Sequence, residues 1–421
     1  MRKHKRHTGL IAVLSMAAVI AAAAGLYSRF GGFGTGDCAD TEEFSKYATA
    51  VSELTVPNEV QIVALGEATH GNREFQQLRL DVFQVLVEKY SVRAFALEGD
   101  FGGCEAINRY IHGEDGTAAE VLSATGFAIY CTEEMENLVE WMRDYNASAA
   151  QGDDLRFYGF EMEQRAYSYR YLLEAVHKAN IDAADFEKMW NGETNTYADG
   201  YTAEQRTEII TAVKERLPPE DVRAIHFADI LLQNIELGKY VDDSGELNAR
   251  RDRMMAENTL WILRQEQAHG NSRVLISGHN NHIMRGENAG TPVLGSLLAE
   301  ELGSGYFAIG TDFYKSVCNL PKAYTGKRIT HTFYSYDPLA KASEKCGFDV
   351  GFLDFSEVPE DSALTEYLSN CVPMGSLGES YSVLMNFVPR SYRVWRTPRD
   401  AYDAMIFAAN ATPIEIESLN K

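Results

Sequence analysis

The first residues with evident chemical potential lie in the stretch GEATHG at 66–71, where Glu67 and His70 share one tight turn after an apolar run. An imidazole acts as a general base only when its tautomer and orientation are fixed, and a nearby carboxylate can fix both. Taken alone, a surface histidine with a casual glutamate neighbour is as common as a catalytic pair. The motif therefore predicts a general base only if other polar groups converge on it.

Three further polar groups stand where they can approach this pair. Arg79 lies on a predicted helix face that is otherwise apolar, where a guanidinium without a partner would be costly. That position fits either a structural ion pair or an electrostatic clamp on developing negative charge. Glu98 ends the second predicted strand, and His279 follows the fourth within the loop SGHNNH. The candidate catalytic residues are therefore Glu67, His70, Arg79, Glu98 and His279.

Strands and a helix predicted from the hydrophobic pattern must position these groups. Apolar side chains at helical spacing over 73–90 predict a helix after the first strand. A strand, a helix and a strand within about 40 residues form a βαβ unit, which implies parallel strands. Ligands bind outside the carboxyl ends of such strands. The apolar runs typical of buried strands are at 60–65, 93–97, 155–160, 273–277 and 306–311.

The segment of about 165–268 is mainly helical by pattern, with helices predicted at 203–217, 219–239 and 247–267. We therefore expect an α/β fold: a mainly parallel sheet flanked by helices, with a helical insertion. Residues 30–54, which begin with a Gly-rich stretch, are predicted to be a linker and lead-in. Residues 55–421 are predicted to form one domain that contains the insertion.

The N-terminal segment has the pattern of an export signal. A basic cluster at 2–6 precedes an apolar run of 19 residues at 9–27, broken only by Ser15. The run also suits a membrane span, which needs about 20 residues. Residues 1–29 are therefore predicted to be a cleaved signal peptide or an uncleaved membrane anchor. Both place the chain from about residue 30 onward outside the cytoplasm, secreted or held at a membrane.

Composition and missing motifs exclude several function classes. The chain has 421 residues and a formal net charge of −22, which repels phosphate backbones, so no nucleic-acid partner is expected. Six cysteines occur without a CxxC pair, which argues against a thiolate zinc site. No Gly-x-Ser-x-Gly elbow, P-loop or dinucleotide-binding glycine motif is present. A serine esterase and a nucleotide cofactor are therefore not expected.

The ordered set of motifs resembles the erythromycin esterase family. The motifs that carry the resemblance are GEATH at 66–70, EF at 74–75, Arg79, LE at 97–98, RD at 251–252, HNNH at 279–282 and YDAMIF at 402–407. The resemblance spans about 55–415. It implies an α/β hydrolase whose best-known members open the macrolactone ring of erythromycin by ester hydrolysis. The family's functional residues fall on Glu67, His70, Arg79, Glu98 and His279.

The resemblance implies that His70 activates water without a serine nucleophile or a required metal. We expect Glu67 or Glu98 to hold the His70 tautomer, and Arg79 and His279 to stabilise the oxyanion or protonate the leaving alkoxide. The expected substrate is a small ester or lactone, and no cofactor is expected. The chain departs from the family pattern at Glu161, where relatives often carry Asp, and at Gly278, where Ala is common. The export segment is a further departure and leaves the substrate open.

Two alternatives remain open from the sequence. In a metal-dependent hydrolase, the same histidines and carboxylates would hold Zn²⁺, for which His and carboxylate ligands suffice. In a non-catalytic binding protein, the fold would persist without turnover. The discriminating measurements are activity after chelation for the first alternative and turnover itself for the second.

Overall fold

A computed structural model gives the structure of the chain and describes residues 14–23, 36–288, 290–386, 388 and 391–416. Residues 14–23 form a helix, α1. The rest of the predicted export signal, at 1–13 and 24–29, lies outside the described residues, as do residues 30–35 of the predicted linker. Within the described residues, no helix is both long and apolar enough to cross a membrane. Export of the chain stays a prediction.

The strands occur throughout the chain from residue 62 onward. In chain order they are β1 (Ile62–Glu67), β2 (Ala94–Asp100), β3 (Arg156–Glu161), β4 (Trp190–Asn191), β5 (Thr196–Tyr197), β6 (Val274–His279), β7 (Glu287–Asn288), β8 (Thr291–Pro292), β9 (Tyr306–Pro321), β10 (Arg328–Tyr334), β11 (Val350–Asp354), β12 (Val372–Gly375), β13 (Arg393–Arg396) and β14 (Ala404–Ala411). In the described part of the chain, eight of them form the central sheet, in the order β11-β14-β9-β1-β6-β2-β3 with β10 beside β9. The short strands β4 and β5, β7 and β8, and β12 and β13 pair as separate hairpins or ribbons.

The helices surround this sheet. After α1 they are α2 (Thr41–Tyr47), α3 (Arg73–Tyr90), α4 (Phe101–Ile111), α5 (Ala118–Ser123), α6 (Glu133–Ser148), α7 (Ala166–Lys178), α8 (Ala184–Lys188), α9 (Ala203–Lys214), α10 (Val222–Leu237), α11 (Ser244–Ala268), α12 (Asn280–Ile283), α13 (Leu294–Leu302), α14 (Pro338–Lys345), α15 (Thr365–Leu368) and α16 (Pro398–Ala401). Short 3-10 turns lie at Val51–Glu53, Ala128–Tyr130, Gly238–Tyr240, Gly303–Gly305, Phe355–Glu357 and Val383–Asn386.

The sheet is mainly parallel because the chain returns through helices between its central strands. Strand β1 pairs in parallel with β6 and β9, and β2 pairs in parallel with β3 and β6. Strand β14 continues the parallel arrangement beside β9, while β10 and β11 are antiparallel additions. The predicted α/β fold, a mainly parallel sheet flanked by helices, is confirmed.

Both faces of the sheet are buried, which explains why its strands are near-continuous apolar runs. In β1, Ile62 and Ala64 pack in one hydrophobic cluster, while Val63 and Leu65 pack in the other. This division follows the alternation of side chains along a strand. Helix α3 contributes Phe83 to the second cluster, and its bounds are those that the helical spacing predicts.

The helical insertion occupies the chain between β3 and β6. It consists of α7 to α11, with the small β4–β5 ribbon after α8. The three helices predicted there correspond to α9, α10 and α11, and α9 ends at Lys214, a few residues before its predicted end. The 25-residue helix α11 leads directly back into β6, so its N-terminal half can approach the carboxyl end of the sheet.

The described part of the predicted linker packs onto the domain. Helix α2 begins after Asp40, whose side chain accepts hydrogen bonds from two backbone N–H groups of the first turn. Phe44 in this helix is fully buried, and Thr49 bridges to Phe352 at the edge strand β11. Residues 39–54 therefore contribute to the core, and the apolar spacing of one short helix was too little signal to predict this.

Candidate active site

The carboxyl ends of four neighbouring strands bring the candidate residues together. Glu67 ends β1 and is in register with His279 at the end of β6, while Glu98 and Glu161 come from β2 and β3. A cavity of about 340 Å³ opens at this edge. It is lined by His70, Glu98, Phe127, Ile129, Tyr130, Glu163, Asn248, Arg251, Asp252, His279, Asn281, His282, Asn288, Gly378 and Glu379.

His70 belongs to a three-residue chain of charge that runs from the cavity into the core. Its Nδ1 contacts Glu67 Oε1, and Arg79 Nη2 donates to Glu67 Oε2 at 2.8 Å. The guanidinium is fully buried, and its Nε donates to Ser277 Oγ at 3.0 Å. Because Nδ1 is held by Glu67, the remaining nitrogen, Nε2, is the atom of His70 left for chemistry.

The charges in this chain determine the protonation of each group. Burial acts to raise the pKa of Glu67, but Arg79 and then His70 outweigh it and lower that pKa to about 2. Burial acts to lower the pKa of His70, but the Glu67 carboxylate outweighs it and raises the pKa above its usual value. Glu67 is therefore ionised at neutral pH, and the proton between the pair resides on His70 Nδ1.

His279 has the opposite electrostatic character from His70. Burial, reinforced by the charge of His70, lowers the pKa of His279 to about 3, so its ring is neutral. Its Nδ1 accepts the backbone N–H of Asn281 at 3.1 Å, which places the ring proton on Nε2. That Nε2 is buried without a hydrogen-bond partner in the described structure, and the two imidazole centroids are 4.9 Å apart.

Glu98 holds the His279 loop rather than His70. Its Oε2 accepts the backbone N–H of His279 at 2.7 Å, and its Oε1 accepts from Arg251 Nη2 at 3.0 Å. Burial acts to raise the pKa of Glu98, but His282 and Arg251 lower it well below its usual value. Of the two carboxylates proposed to orient His70, the one in contact with its ring is therefore Glu67.

Arg251 on α11 ties the helical insertion to the sheet. Besides Glu98, it donates from Nε to Glu161 Oε1 at 2.9 Å, and Nη1 lies 3.1 Å from His282 Nε2. Glu161 thus has a defined partner, although burial raises its pKa. The neighbouring Asp252 contacts His282 Nδ1 at 2.7 Å. Helix α11 therefore holds polar groups from β2, from β3 and from the short helix α12 after β6.

Two glycines make room for polar side chains that reach from one strand or helix to the neighbouring strand. A Cβ added at Gly66 would lie 2.1 Å from Asn280 Oδ1, and one added at Gly278 would lie 2.8 Å from Glu98 Oε2. Asn280 in turn exchanges hydrogen bonds with the backbone of Thr311 on β9. The missing side chain of Gly278 leaves room for the Glu98 carboxylate.

The predicted site residues occupy three kinds of position. His70, Glu98 and His279 line the cavity, whereas Glu67 lies behind His70 with 1% of its side chain exposed. Arg79 lies deeper still, behind Glu67, and its exposed fraction is 0%. The structure places Arg79 away from the cavity, where its Nε, Nη1 and Nη2 each donate one hydrogen bond, to Ser277, Gln76 and Glu67.

Sequence reasoning did not assign roles to Arg251, Asp252 and His282, although all three line the cavity. Two signals were present. The RD pair at 251–252 is among the motifs that carry the family resemblance, and HNNH supplies a second histidine three residues after the end of β6. The sequence did not show that these residues lie close to the predicted site, because Arg251 is separated from Glu98 by 153 positions.

The same residues also bear on the metal alternative. In the described part of the chain, no three His, Cys, Asp or Glu side chains are placed so that they could hold a metal ion. Glu67, His70, Glu98 and His279 instead engage one another and the arginines. Metal dependence is therefore a question for the chelation experiment described below.

Taken together, the arrangement offers two imidazoles in different states beside one small cavity. His70 can accept a proton at Nε2 once it is neutral, with Glu67 stabilising the imidazolium that forms. His279 can donate from Nε2 to a developing negative charge without itself changing charge. A base next to a neutral hydrogen-bond donor is an arrangement that can promote the addition of water to a carbonyl group.

Comparison with known proteins gives a consistent result. The family model described as erythromycin esterase matches residues 87–411. The chain is 25% identical over 358 residues to erythromycin esterase type II of Escherichia coli. The alignment covers 72% of this chain and 82% of that protein. It is 22% identical over 343 residues to the putative hydrolase YbfO of Bacillus subtilis strain 168, covering 70% of this chain and 74% of that protein.

Solved structures share the fold. The structure of a Bacillus cereus protein superposes with a TM-score of 0.74 at 20% identity and covers 90% of this chain and 100% of that one. One described as a succinoglycan biosynthesis protein also gives 0.74 at 20% identity, covering 90% and 98%. A mutant of the erythromycin esterase EreC in its open conformation gives 0.58 at 16% identity, covering 91% and 96%.

Proposed function

The chain belongs to the erythromycin esterase family and is a hydrolase of the esterase type, and we propose that it cleaves a carboxylic ester with water activated by His70. The observation that carries the proposal is that two imidazoles with pKa values shifted in opposite directions lie beside each other. His70 is backed by the ionised Glu67, and His279 presents a buried Nε2 without a partner in the described structure. Both line one cavity.

The proposed reaction proceeds in two steps. In the first, His70 Nε2 takes a proton from water while the water oxygen bonds to the ester carbonyl carbon. The carbonyl electrons move to its oxygen, which accepts a hydrogen bond from His279 Nε2. In the second, the tetrahedral intermediate collapses, the bond to the alkoxide breaks, and the imidazolium of His70 returns its proton to that alkoxide. The products are a carboxylic acid and an alcohol.

Positioning residues complete the proposal. Glu67 holds the His70 tautomer, and Arg79 keeps Glu67 ionised inside the core. Glu98 and Arg251 hold the backbone at His279, so that its donor stays in place before the charge develops. Donors placed in advance avoid the reorganisation that water would need, and one such donor contributes about 3–4 kcal/mol in known oxyanion holes.

The test is turnover on a defined panel. The full-length chain is incubated with macrolide lactones and with simple esters, and mass spectrometry follows the addition of one water. We expect hydrolysis of at least one ester, unchanged after removal of divalent metal with a chelator. Loss of activity on chelation, restored by Zn²⁺, would favour the metal-dependent alternative. Absence of turnover on every ester would favour a non-catalytic binding protein.

The proposed base also predicts the pH profile. Because the pKa of His70 is raised, the neutral form that accepts a proton is depleted below that pKa and becomes dominant above it. We therefore expect kcat/KM to rise with pH through an apparent pKa above 6.5. Glu67→Gln removes the charge that raises the pKa, so the same limb should move to lower pH while the plateau falls.

Rates measured between pH 5 and 9 on one preparation check this. His177→Ala is the matched control, because His177 contacts Glu187 at 2.7 Å in an exposed His–Glu pair outside the cavity. Its profile should equal that of the unmodified enzyme. A limb that lies below 6.5, or one that Glu67→Gln leaves in place, would contradict the assignment of His70 as the base.

A further inference from the structure

A short segment near the C-terminus contacts the supports of both imidazoles, although it lies far from His70 in the sequence. It comprises residues 375–379, which begin at the last residue of β12, and we call it the 375–379 segment. Two of its residues, Gly378 and Glu379, line the catalytic cavity. The proposed reaction gives this segment no role, so its contacts raise the question of what it does.

The segment pairs with the turn that carries His70. The Leu377 N–H donates to the Ala68 carbonyl at 2.8 Å, and the His70 N–H donates to the Leu377 carbonyl at 3.3 Å. These two hydrogen bonds form a parallel bridge in which Leu377 lies opposite Thr69. The Leu377 side chain is buried in the core below. The position of the His70 backbone therefore depends on where the segment lies.

The preceding residue of the segment contacts the support of the other imidazole. Asn281 Nδ2 donates to Ser376 Oγ at 3.2 Å. The backbone N–H of the same Asn281 donates to His279 Nδ1 and so fixes the tautomer of that ring. Two consecutive residues, Ser376 and Leu377, therefore reach the residue that orients His279 and the backbone of His70.

The segment is anchored at its start by Asp312 of β9. The Gly375 N–H lies between the two carboxyl oxygens of Asp312, 3.1 Å from Oδ1 and 3.0 Å from Oδ2. The Asp312 side chain is fully buried. A Cβ added at Gly375 would lie 2.8 Å from Asp312 Oδ1 and 2.5 Å from Phe313 Cε1, so this close approach requires glycine.

The anchor is a neutral carboxyl group. Burial and then the neighbouring Asp337 raise the pKa of Asp312 well above its usual value, so Asp312 is protonated at neutral pH. Burial raises the pKa of Asp337 only to about 6, so Asp337 keeps the negative charge of the pair and accepts two backbone N–H groups at the start of α14. An asparagine at position 312 would match the protonated carboxyl in shape and charge.

We propose that Asp312 is a positioning residue for the imidazole pair: it holds the 375–379 segment at Gly375, and the segment holds His70 against Glu67. Without this acceptor, the Gly375 N–H would be buried and unpaired, which is costly and favours displacement of the segment. Burial acts to lower the pKa of His70 and the Glu67 carboxylate outweighs it, so a ring that loses this contact should have a lower pKa.

The importance of this positioning for catalysis rests on the proposed function, but the state of the His70 ring can be measured without turnover. The full-length chain is labelled with nitrogen-15 histidine and titrated by NMR, and the His70 resonances are identified by their absence from His70→Ala. We expect Asp312→Ala to lower the pKa of His70. Asp312→Asn should leave it unchanged, because the amide oxygen still accepts the Gly375 N–H.

The rate should follow the ring. On an ester that the enzyme hydrolyses, Asp312→Ala is expected to lower kcat by about 10²-fold, since a misplacement of about 1 Å can cost that much, and Asp312→Asn should restore it. A lowered His70 pKa without any loss of kcat would confirm the positioning role of Asp312 and contradict His70 as the base. The failure of the proposed function is thus distinguished from the failure of this inference.

Asp354→Ala is the matched control. Asp354 is also a buried strand aspartate that accepts a backbone N–H, that of Ser356 at 2.8 Å. It ends β11 opposite Ala404, the first residue of β14, and therefore lies at the edge of the sheet away from the cavity. Its loss should lower the thermal stability but leave the pKa of His70 unchanged.

Gly375→Ala displaces the segment while Asp312 is intact, and it should lower the pKa of His70 as Asp312→Ala does. It therefore tests the proposal if Asp312→Ala does not fold. The proposal is overturned if folded Asp312→Ala keeps the His70 pKa, if Asp312→Asn lowers it equally, or if Asp354→Ala lowers it as much. Failure of both Asp312→Ala and Gly375→Ala to fold would assign the anchor to the fold alone and would also overturn it.

Discussion

His70→Ala is expected to lower kcat by about 10²- to 10⁴-fold on any ester that the enzyme hydrolyses, because general-base catalysis contributes that much to the transition state. KM should change far less, since the imidazole acts on water rather than on the bound ester. The substitution should also fold, because His70 lies at the cavity with 15% of its side chain exposed. Turnover and thermal unfolding are measured on the same preparation.

Two further substitutions separate the contribution of the His70 imidazole to the rate from that of the Glu67 charge. His70→Gln should fail nearly as badly, because an amide can hydrogen-bond to water but cannot take its proton at neutral pH. Glu67→Gln should lose less, since it keeps an oxygen to hold the ring but removes the charge that stabilises the imidazolium. The exposed pair His177 and Glu187 again provides the control, as His177→Ala should leave kcat unchanged. A folded His70→Ala enzyme with near-normal turnover would refute the mechanism.

Arg79→Met is expected to destabilise the protein by about 3–5 kcal/mol, the cost of removing one partner from a buried ion pair. Glu67 is 1% exposed, and its Oε2 would be left in the core without the guanidinium, with His70 on Oε1 as the remaining partner. Methionine nearly fills the volume but supplies no charge. The free energy of unfolding is measured by urea denaturation, with the slope of the transition checked for two-state behaviour.

The double variant Arg79→Met with Glu67→Gln distinguishes the loss of a charge pair from the loss of packing. With the carboxylate replaced by a neutral amide, the pair no longer leaves a buried charge, so the double variant should be more stable than Arg79→Met alone. Arg250→Met is the surface control: Arg250 pairs with Glu236 and Glu246, all partly exposed, and should cost about 0–1 kcal/mol. Equal losses for Arg79→Met and Arg250→Met would show that the buried pair has no special role.

These two experiments probe different parts of one chain of charge. His70 faces the cavity and is expected to matter for rate, whereas Arg79 is enclosed and is expected to matter for folding. Glu67 links them, with one carboxylate oxygen on each. Glu67 stays ionised behind His70 because Arg79 supplies a counter-charge inside the core, which accounts for an arginine on the otherwise apolar face of α3.

Local patterns were sufficient for much of the fold. The helical spacing over 73–90 predicts α3 with its observed bounds, and the apolar runs predict β1, β2, β3, β6 and the first part of β9 within a few residues. Such patterns are local, because each strand or helix must present its own apolar side chains to the core. The short helix α2 and the strands β10, β11 and β14 were not predicted from the pattern.

The positions of Glu67, His70, Glu98 and His279 were also readable from the chain, because polar side chains directly after buried strands must gather at one edge of a parallel sheet. The sequence did not show which of these residues contact one another. The register of β1 against β6 sets Glu67 beside His70 and the His279 backbone within reach of Glu98. The path of α11 then brings Arg251 to both Glu98 and Glu161. These contacts join residues far apart in the chain, and hydrogen bonds of a few ångströms depend on the tertiary packing that sets their distance.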